Sequence, residues 1–380
     1  MSPDTSAEDY QKQTLPHVSR TFALTIPQLP ESLRSPVTNA YLLCRIADTI
    51  EDEPAVSPPE TIALMQRFKE AVAGRADPVA LARELAPLLS DSTLPAERDL
   101  VLNMDRVIAL TAGFEPGQRR AIVRCVELMC YGMPHFQFNA SLAGLPGSKD
   151  LDDYCYYVAG VVGEMLTELF CCYSGDIAKH RAQMAALAES FAQGLQMTNI
   201  LKDVWEDRSR GVCWFPQSVF SRHGIDLKQL QPKPHDPRFA AALRELIGVA
   251  HAHLRNALEY TLLIPPKEAG IRRFLLWAIG LAILTLRKID ANPQYTAGSQ
   301  VKVTRTAVAM TRILTDVALR RNFLLRGLFA FAARGVPLAQ LGALRLHTAT
   351  AGRDLQAPAP LEQDLQVRAE RTGTYGSARR

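Results

Sequence analysis

The 380-residue chain is 47% hydrophobic and 22% charged, the balance of a soluble globular protein with a large core. Its 43 basic and 39 acidic residues leave a net charge of +4 with no Lys/Arg block, which argues against nucleic acid as a partner. The seven cysteines (Cys44, Cys125, Cys130, Cys155, Cys171, Cys172 and Cys213) contain no CxxC and lie in mostly apolar surroundings. They read as reduced core residues rather than disulfides or zinc ligands.

Residues 1–16 are polar and lack the apolar run of a signal peptide. They read as a segment ahead of the folded domain. Ser19-Arg-Thr-Phe22 follows, then a break at Pro27–Pro30. Helical periodicity predicts a long helix from Glu31 or Ser35 through Asp52 and a proline-rich loop over 53–59. Further helices are predicted over 59–73, 78–89, 95–112 and 116–133, each opened by a proline. Residues 134–149 read as irregular. Helices over 150–173 and 184–207 come next, the first containing Gly160 and Gly163. A loop at 208–216 precedes helices over 237–263 and 266–289. The apolar run Phe274–Leu286 is too short to span a membrane, which takes about 20 residues, so it reads as a buried helix. After a break at 290–299, residues 306–346 are apolar and basic, and 347–380 are polar and expected to be disordered. Strand-like alternation is scarce. The fold class expected is all-α: one domain over 17–346, its helices arranged around a central cavity.

Two acidic rows carry the chemistry. Asn199, Asp203 and Asp207 are spaced four apart, so a helix places them on one face. Tyr41, Arg45, Asp48 and Asp52 recur at a similar interval upstream. Carboxylates gathered in an apolar setting repel one another and resist burial. A hard divalent cation bound by one or two of them, with water and phosphate oxygens completing the shell, removes that conflict. Arg45 and Lys202 add cationic groups beside the rows. Metal and phosphate at one end of an apolar cavity suit loss of diphosphate from an allylic carbon, with apolar walls keeping water from the cation. Gly160 and Gly163 either leave room for a long chain or admit close helix–helix packing.

Five segments, in order, resemble the squalene/phytoene synthase family, which joins two prenyl diphosphates head to head. They are Ser19–Phe22, Tyr41–Asp52, Asp153–Gly163, Gln196–Asp207 and Gly211–Pro216. The resemblance covers about residues 15–310, and Tyr154–Gly163 is especially similar to squalene synthases. It implies an isoprenoid-synthase-type helical bundle. It also implies magnesium, with manganese as a substitute, held by Asp48 and Asp52 and by Asn199, Asp203 and Asp207. Ser19, Arg20, Tyr41, Arg45, Gln196, Lys202 and Arg210 would contact substrate diphosphate. Tyr154 would act in the first half-reaction. NADPH would be held by Lys302 and Arg305 in Val301-Lys-Val-Thr-Arg305, since no GxGxxG unit is present. Glu206 lies off the second row and is not expected to be a ligand.

The chain departs from the family pattern at two places. Val212 stands where eukaryotic squalene synthases carry an arginine, leaving Arg208 or Arg210 to substitute, and Arg305 is displaced by one position from the family's Val-Lys-Ile-Arg segment. The resemblance therefore implies squalene synthesis from farnesyl diphosphate, for sterol or hopanoid biosynthesis. Dehydrosqualene, phytoene or hydroxysqualene formation without the reductive step is the alternative. A terpene cyclase fits less well, because the rows here are Asp-x3-Asp and Asn-x3-Asp-x3-Asp. A monomer is expected, cytoplasmic, with peripheral contact to the inner membrane through the apolar and basic segment Arg320–Leu346.

Overall fold

A computed structural model describes residues 6–232 and 236–341. The segment at 342–380, including the tail expected to be disordered, lies outside the described residues. Among the described residues seventeen α-helices follow in chain order: α1 (Ala7–Val18), α2 (Arg20–Thr25), α3 (Glu31–Glu51), α4 (Pro58–Val72), α5 (Pro78–Leu85), α6 (Pro95–Leu102), α7 (Met104–Gly113), α8 (Pro116–Asn139), α9 (Ser148–Cys155), α10 (Val161–Tyr173), α11 (Gly175–Ala178), α12 (Arg181–Ser209), α13 (Gln217–Arg222), α14 (Pro237–Leu263), α15 (Ala269–Ala291), α16 (Arg305–Ala318) and α17 (Asn322–Ala332). Among the described residues there is no strand, only an isolated bridge between Leu145 and Pro216.

Local chemistry sets many of the helix starts. Asp77 and Asp236 each accept a backbone N–H, from Val79 at 2.9 Å and from Arg238 at 3.0 Å, ahead of a proline in the first turn of α5 and α14. Ser57 and Glu60 form a capping box at α4. The expected helix 237–263 coincides with α14.

The core has two large parts. One gathers α3, α4, α8 and α10 around Leu42, Ile46, Phe68 and Phe170; the other gathers α12, α14 and α15 with residues 213–227 around Leu201, Phe215, Leu246 and Leu286. Helix α15 is long and apolar enough to cross a membrane, yet 61% of its most apolar window is buried in the protein. It is packed as the buried helix expected.

Several expectations are corrected. The N-terminal segment is not a mere polar lead-in: α1 packs on α3 and α7, and Tyr10 is fully buried, its hydroxyl donating to Asp99 at 3.0 Å. The helix expected to end at Met133 continues through Pro134 to Asn139. A proline there removes one backbone hydrogen bond, but burial of Met133, Pro134 and Phe136 holds the turn in place. The helix expected over 95–112 breaks at Asn103, whose side-chain amide donates to the Asp99 carbonyl at 2.8 Å. Between α9 and α10, residues Tyr156–Gly160 form a π-helical turn. Cys172 is exposed, unlike the other cysteines.

Gly163 of α10 admits a neighbouring helix rather than opening space. A Cβ on Gly163 would lie 2.4 Å from the Ala188 carbonyl oxygen of α12, so only glycine permits this approach. The apolar segment after residue 305 is two helices, and in α17 Leu325 is buried while Arg326 pairs with Glu259. Every residue of α17 except Leu325 is half-buried or exposed, and residues 342–346 of the expected surface segment lie outside the described residues.

Candidate active site

The two core parts meet at a cavity of about 1240 Å³. It receives side chains from α3, α8, α9 and α12 and from the segment after α12. Asp48 and Asp52 from α3 and its end, and Asn199, Asp203 and Asp207 from α12, all line it. So do Arg45, Tyr154, Gln196 and Arg210. The structure thus brings together both rows named from spacing, although about 150 residues separate them.

The end of α12 explains how the last cationic group enters. Gly211 has φ of +86°, the left-handed conformation glycine adopts without strain. The Gly211 and Val212 N–H groups donate back to Arg208 and Asp207 carbonyls at 3.0 and 3.1 Å. The chain turns there, so Arg210, Val212 and Trp214 face the cavity. Leu145 then receives this segment, donating to the Phe215 carbonyl at 2.9 Å. Of the two arginines offered in place of Val212, Arg210 lines the cavity. Arg208 is turned away, donating to the Leu142 and Leu230 carbonyls at 3.2 and 2.7 Å.

The electrostatics are lopsided. Eight acidic side chains line the cavity against two arginines. Burial pushes Asp48 up to about 7, against the pull of Arg45 and helped by Asp52 and Glu97. The Asp48 side chain is still 38% exposed, so the shift reflects protein packed around a deep concavity and not sealing from water. Glu51 is pushed well above the usual carboxylate range by burial and by Asp52 and Asp48. Burial also raises Asp52 and Asp207, and Arg210 opposes both shifts. Arg210 thus acts on both rows and donates to Asp207 at 2.6 Å. Among the described residues no three His, Cys, Asp or Glu side chains converge as a ready metal cage. A set of hard oxygen donors in pairs, with excess negative charge, suits magnesium completed by water and phosphate oxygens.

Arg45 pairs with Glu97 of α6 and lies 3.7 Å from Asp48, while its buried Nε has no partner. An orphaned guanidinium donor on a residue that lines the cavity fits a phosphate oxygen. Tyr154 is stacked on Trp214 at 4.1 Å and 10°, with Phe136 edge-on at 5.4 Å. Burial, and then Glu51, raise its hydroxyl well above the ordinary tyrosine value, so it stays protonated.

Other expected residues lie elsewhere. Lys202 is outside the cavity lining, 3.0 Å from Asp203. Ser19 caps α2, accepting the Phe22 N–H at 3.1 Å, and the Tyr41 hydroxyl donates to the Val18 carbonyl at 3.1 Å; neither side chain lines the cavity. Arg20 opens α2, but its side chain lies outside the described residues. Lys302 and Arg305 are exposed and also outside the lining. The segment before them is tied to α12, the Gly298 N–H donating to Glu206 at 2.8 Å. Glu206 also lines the cavity, although spacing set it off the row. Glu97, Glu51 and Trp214 were not singled out from sequence. Glu51 and Trp214 lie within quoted motif segments, whereas no motif marks Glu97.

An all-α bundle whose cavity carries two facing carboxylate rows is the architecture of an isoprenoid-synthase-type protein. The model of the squalene/phytoene synthase family matches residues 15–307. A squalene synthase of Cochliobolus lunatus is 30% identical, aligning over 82% of this chain and 72% of its own length. One from Eremothecium gossypii is 28% identical over 74% of this chain, which spans 62% of that relative, less than two thirds. The solved structure of TcSQS with a ligand shares the fold, at a TM-score of 0.67 and 21% identity, over 86% of this chain and 98% of that one. The chain belongs to the squalene/phytoene synthase family of prenyltransferases.

Proposed function

We propose that this enzyme is a squalene synthase. It condenses two farnesyl diphosphates to presqualene diphosphate with release of diphosphate and a proton. It then reduces that intermediate to squalene with one hydride equivalent from NADPH, releasing the second diphosphate. The observation that carries this reading is the convergence of Asp48, Asp52, Asn199, Asp203, Asp207, Arg45, Arg210 and Tyr154 on one cavity.

Asp48 and Asp52 would hold magnesium on one wall, and Asn199, Asp203 and Asp207 on the other. Bound magnesium supplies Lewis-acid neutralisation of the departing diphosphate. Arg45 offers its free Nε to a phosphate oxygen, and Arg210, between Asp207 and Asp52, provides a second positive charge. The protonated Tyr154 hydroxyl can donate to diphosphate as the carbon–oxygen bond breaks. Its ring, stacked on Trp214, gives an electron-rich wall to the allylic cation. Met133, Phe138, Val158 and Ile200 line the apolar part and exclude water. NADPH, when bound, would supply the hydride of the second half-reaction. Lys302 and Arg305 would meet its phosphates, a reading supported by their place just after the segment bonded to Glu206.

The test is product analysis. Wild-type enzyme with farnesyl diphosphate and magnesium should accumulate presqualene diphosphate without NADPH and give squalene with it. The same final hydrocarbon with and without NADPH would overturn the reductive half. Absence of any C30 product would overturn the whole reading.

A further inference from the structure

Helix α16 is amphipathic, yet it points its apolar face away from the protein. Of its residues only Thr315 and Ala318 are buried. Met310, Ile313, Leu314 and Val317 follow the i, i+3, i+4, i+7 spacing of one helical stripe. They are 47%, 57%, 42% and 74% exposed. The other side fastens the helix to α15. A Cβ on Gly280 would lie 2.6 Å from the Thr311 methyl, Arg273 donates to Asp316 at 2.7 Å, and the Arg312 guanidinium sits 4.5 Å over the Trp277 ring. The outward stripe is therefore a fixed surface and not a frayed end. A contiguous exposed apolar stripe of this kind marks a contact with protein or membrane.

The charges around the stripe have one sign. Arg312, Arg320 and Arg321 flank it, and Asp316, the single acid over 304–321, is paired with Arg273. Among the described residues Arg320 and Arg321 make no ion pair. A two-fold dimer through this stripe would bring two copies of the same arginine rim together, and like charges across an interface repel. An anionic lipid surface meets both features at once: the stripe enters the boundary between headgroups and acyl chains, and the arginines reach the headgroups.

We propose that α16 is an interfacial helix that seats the protein on an anionic bilayer. The inference places the lipid contact on α16 and not along the later segment that composition alone suggested. It stands independently of the reaction, because its readout needs no turnover.

The experiment uses the full chain and sedimentation with vesicles of phosphatidylcholine alone, or with about one third phosphatidylglycerol. Each arginine at the surface is worth about fivefold in partitioning. Binding to anionic vesicles should therefore exceed binding to neutral ones by about tenfold or more, and should weaken with salt. The Ile313→Glu/Val317→Glu pair should lower binding about tenfold or more, with an unchanged thermal transition and unchanged turnover of soluble substrate. Arg320→Gln/Arg321→Gln should remove part of the anionic preference only. The proposal is overturned if wild type binds neither vesicle, or if both variants bind as wild type does. It is also overturned if the glutamate pair abolishes the folding transition, since the stripe would then be core. A concentration-dependent dimer in sedimentation velocity that the glutamate pair dissociates would assign the stripe to a second copy instead.

Discussion

Arg45 reaches the cavity because Glu97 holds it there, and this dependence can be measured. The Glu97 side chain is 10% exposed and that of Arg45 29%. Removing one partner of a fully buried ion pair costs about 3–5 kcal/mol. Arg45 is partly solvated, keeps Asp48 at 3.7 Å, and in Glu97→Gln still meets an amide oxygen. The stability cost of that substitution should therefore be about 1–2 kcal/mol. The functional cost follows from a guanidinium free to leave its position. We expect kcat/KM for presqualene diphosphate formation to fall about tenfold, or about 1.4 kcal/mol of transition-state stabilisation. Arg45→Gln, which removes the donor itself, should cost about 100- to 1000-fold, as loss of an oxyanion-stabilising donor does. The double variant should be no worse than Arg45→Gln alone, because Glu97 acts only through Arg45. Steady-state and single-turnover rates for the four proteins close the cycle. If Glu97→Gln costs as much without Arg45 as with it, Glu97 meets substrate or metal directly and the positioning argument fails.

Three further changes probe the scaffold. His253 is buried with Nδ1 2.8 Å from Ser190 Oγ, and burial depresses it to about 4 from an ordinary 6.5. Its contribution should be intact above pH 6.5 and lost as pH falls toward 4, by at most about 3 kcal/mol. Urea titrations across that range should show the slope, and His253→Gln should flatten it; an unchanged slope would point to another group. Arg272 is fully buried and donates to the Ile264, Leu319 and Leu262 carbonyls at 2.7, 3.0 and 3.4 Å, joining the end of α14 to the end of α16. Arg272→Met strands these acceptors and should destabilise by about 2–4 kcal/mol; an equal or raised urea midpoint would refute its role as a staple. Gly163→Ala gains about 1 kcal/mol of helix propensity but forces α10 from the Ala188 carbonyl. The net should be a loss of about 1–3 kcal/mol, and a stabilised variant would show that the two helices can separate freely.

What could be read from the chain follows from where each constraint acts. A divalent cation that receives a diphosphate would need several oxygen donors on one helix face, so the proposed chemistry itself imposes the spacing that makes Asp48/Asp52 and Asn199/Asp203/Asp207 visible. Helix starts are similarly local, as at Asp236 and Pro237 of α14. Glu97 has no such mark, because it meets Arg45 only through the packing of α6 on α3. Gly163 stays ambiguous in the sequence for a related reason: a small residue looks alike whether it clears a lumen or admits a neighbouring backbone, and only the Ala188 carbonyl decides. The same reasoning applies most strongly to α16. Periodicity says that Met310, Ile313, Leu314 and Val317 share a face, and the ordinary inference turns that face inward. Direction is a property of the neighbours, however. Helix α15 already spends Phe274, Leu275, Ile279, Ile283 and Leu286 on the core. It meets α16 instead through Arg273, Trp277 and Gly280. A partner surface offering charge, an indole face and a gap binds the polar edge of α16, and that leaves the apolar edge outside.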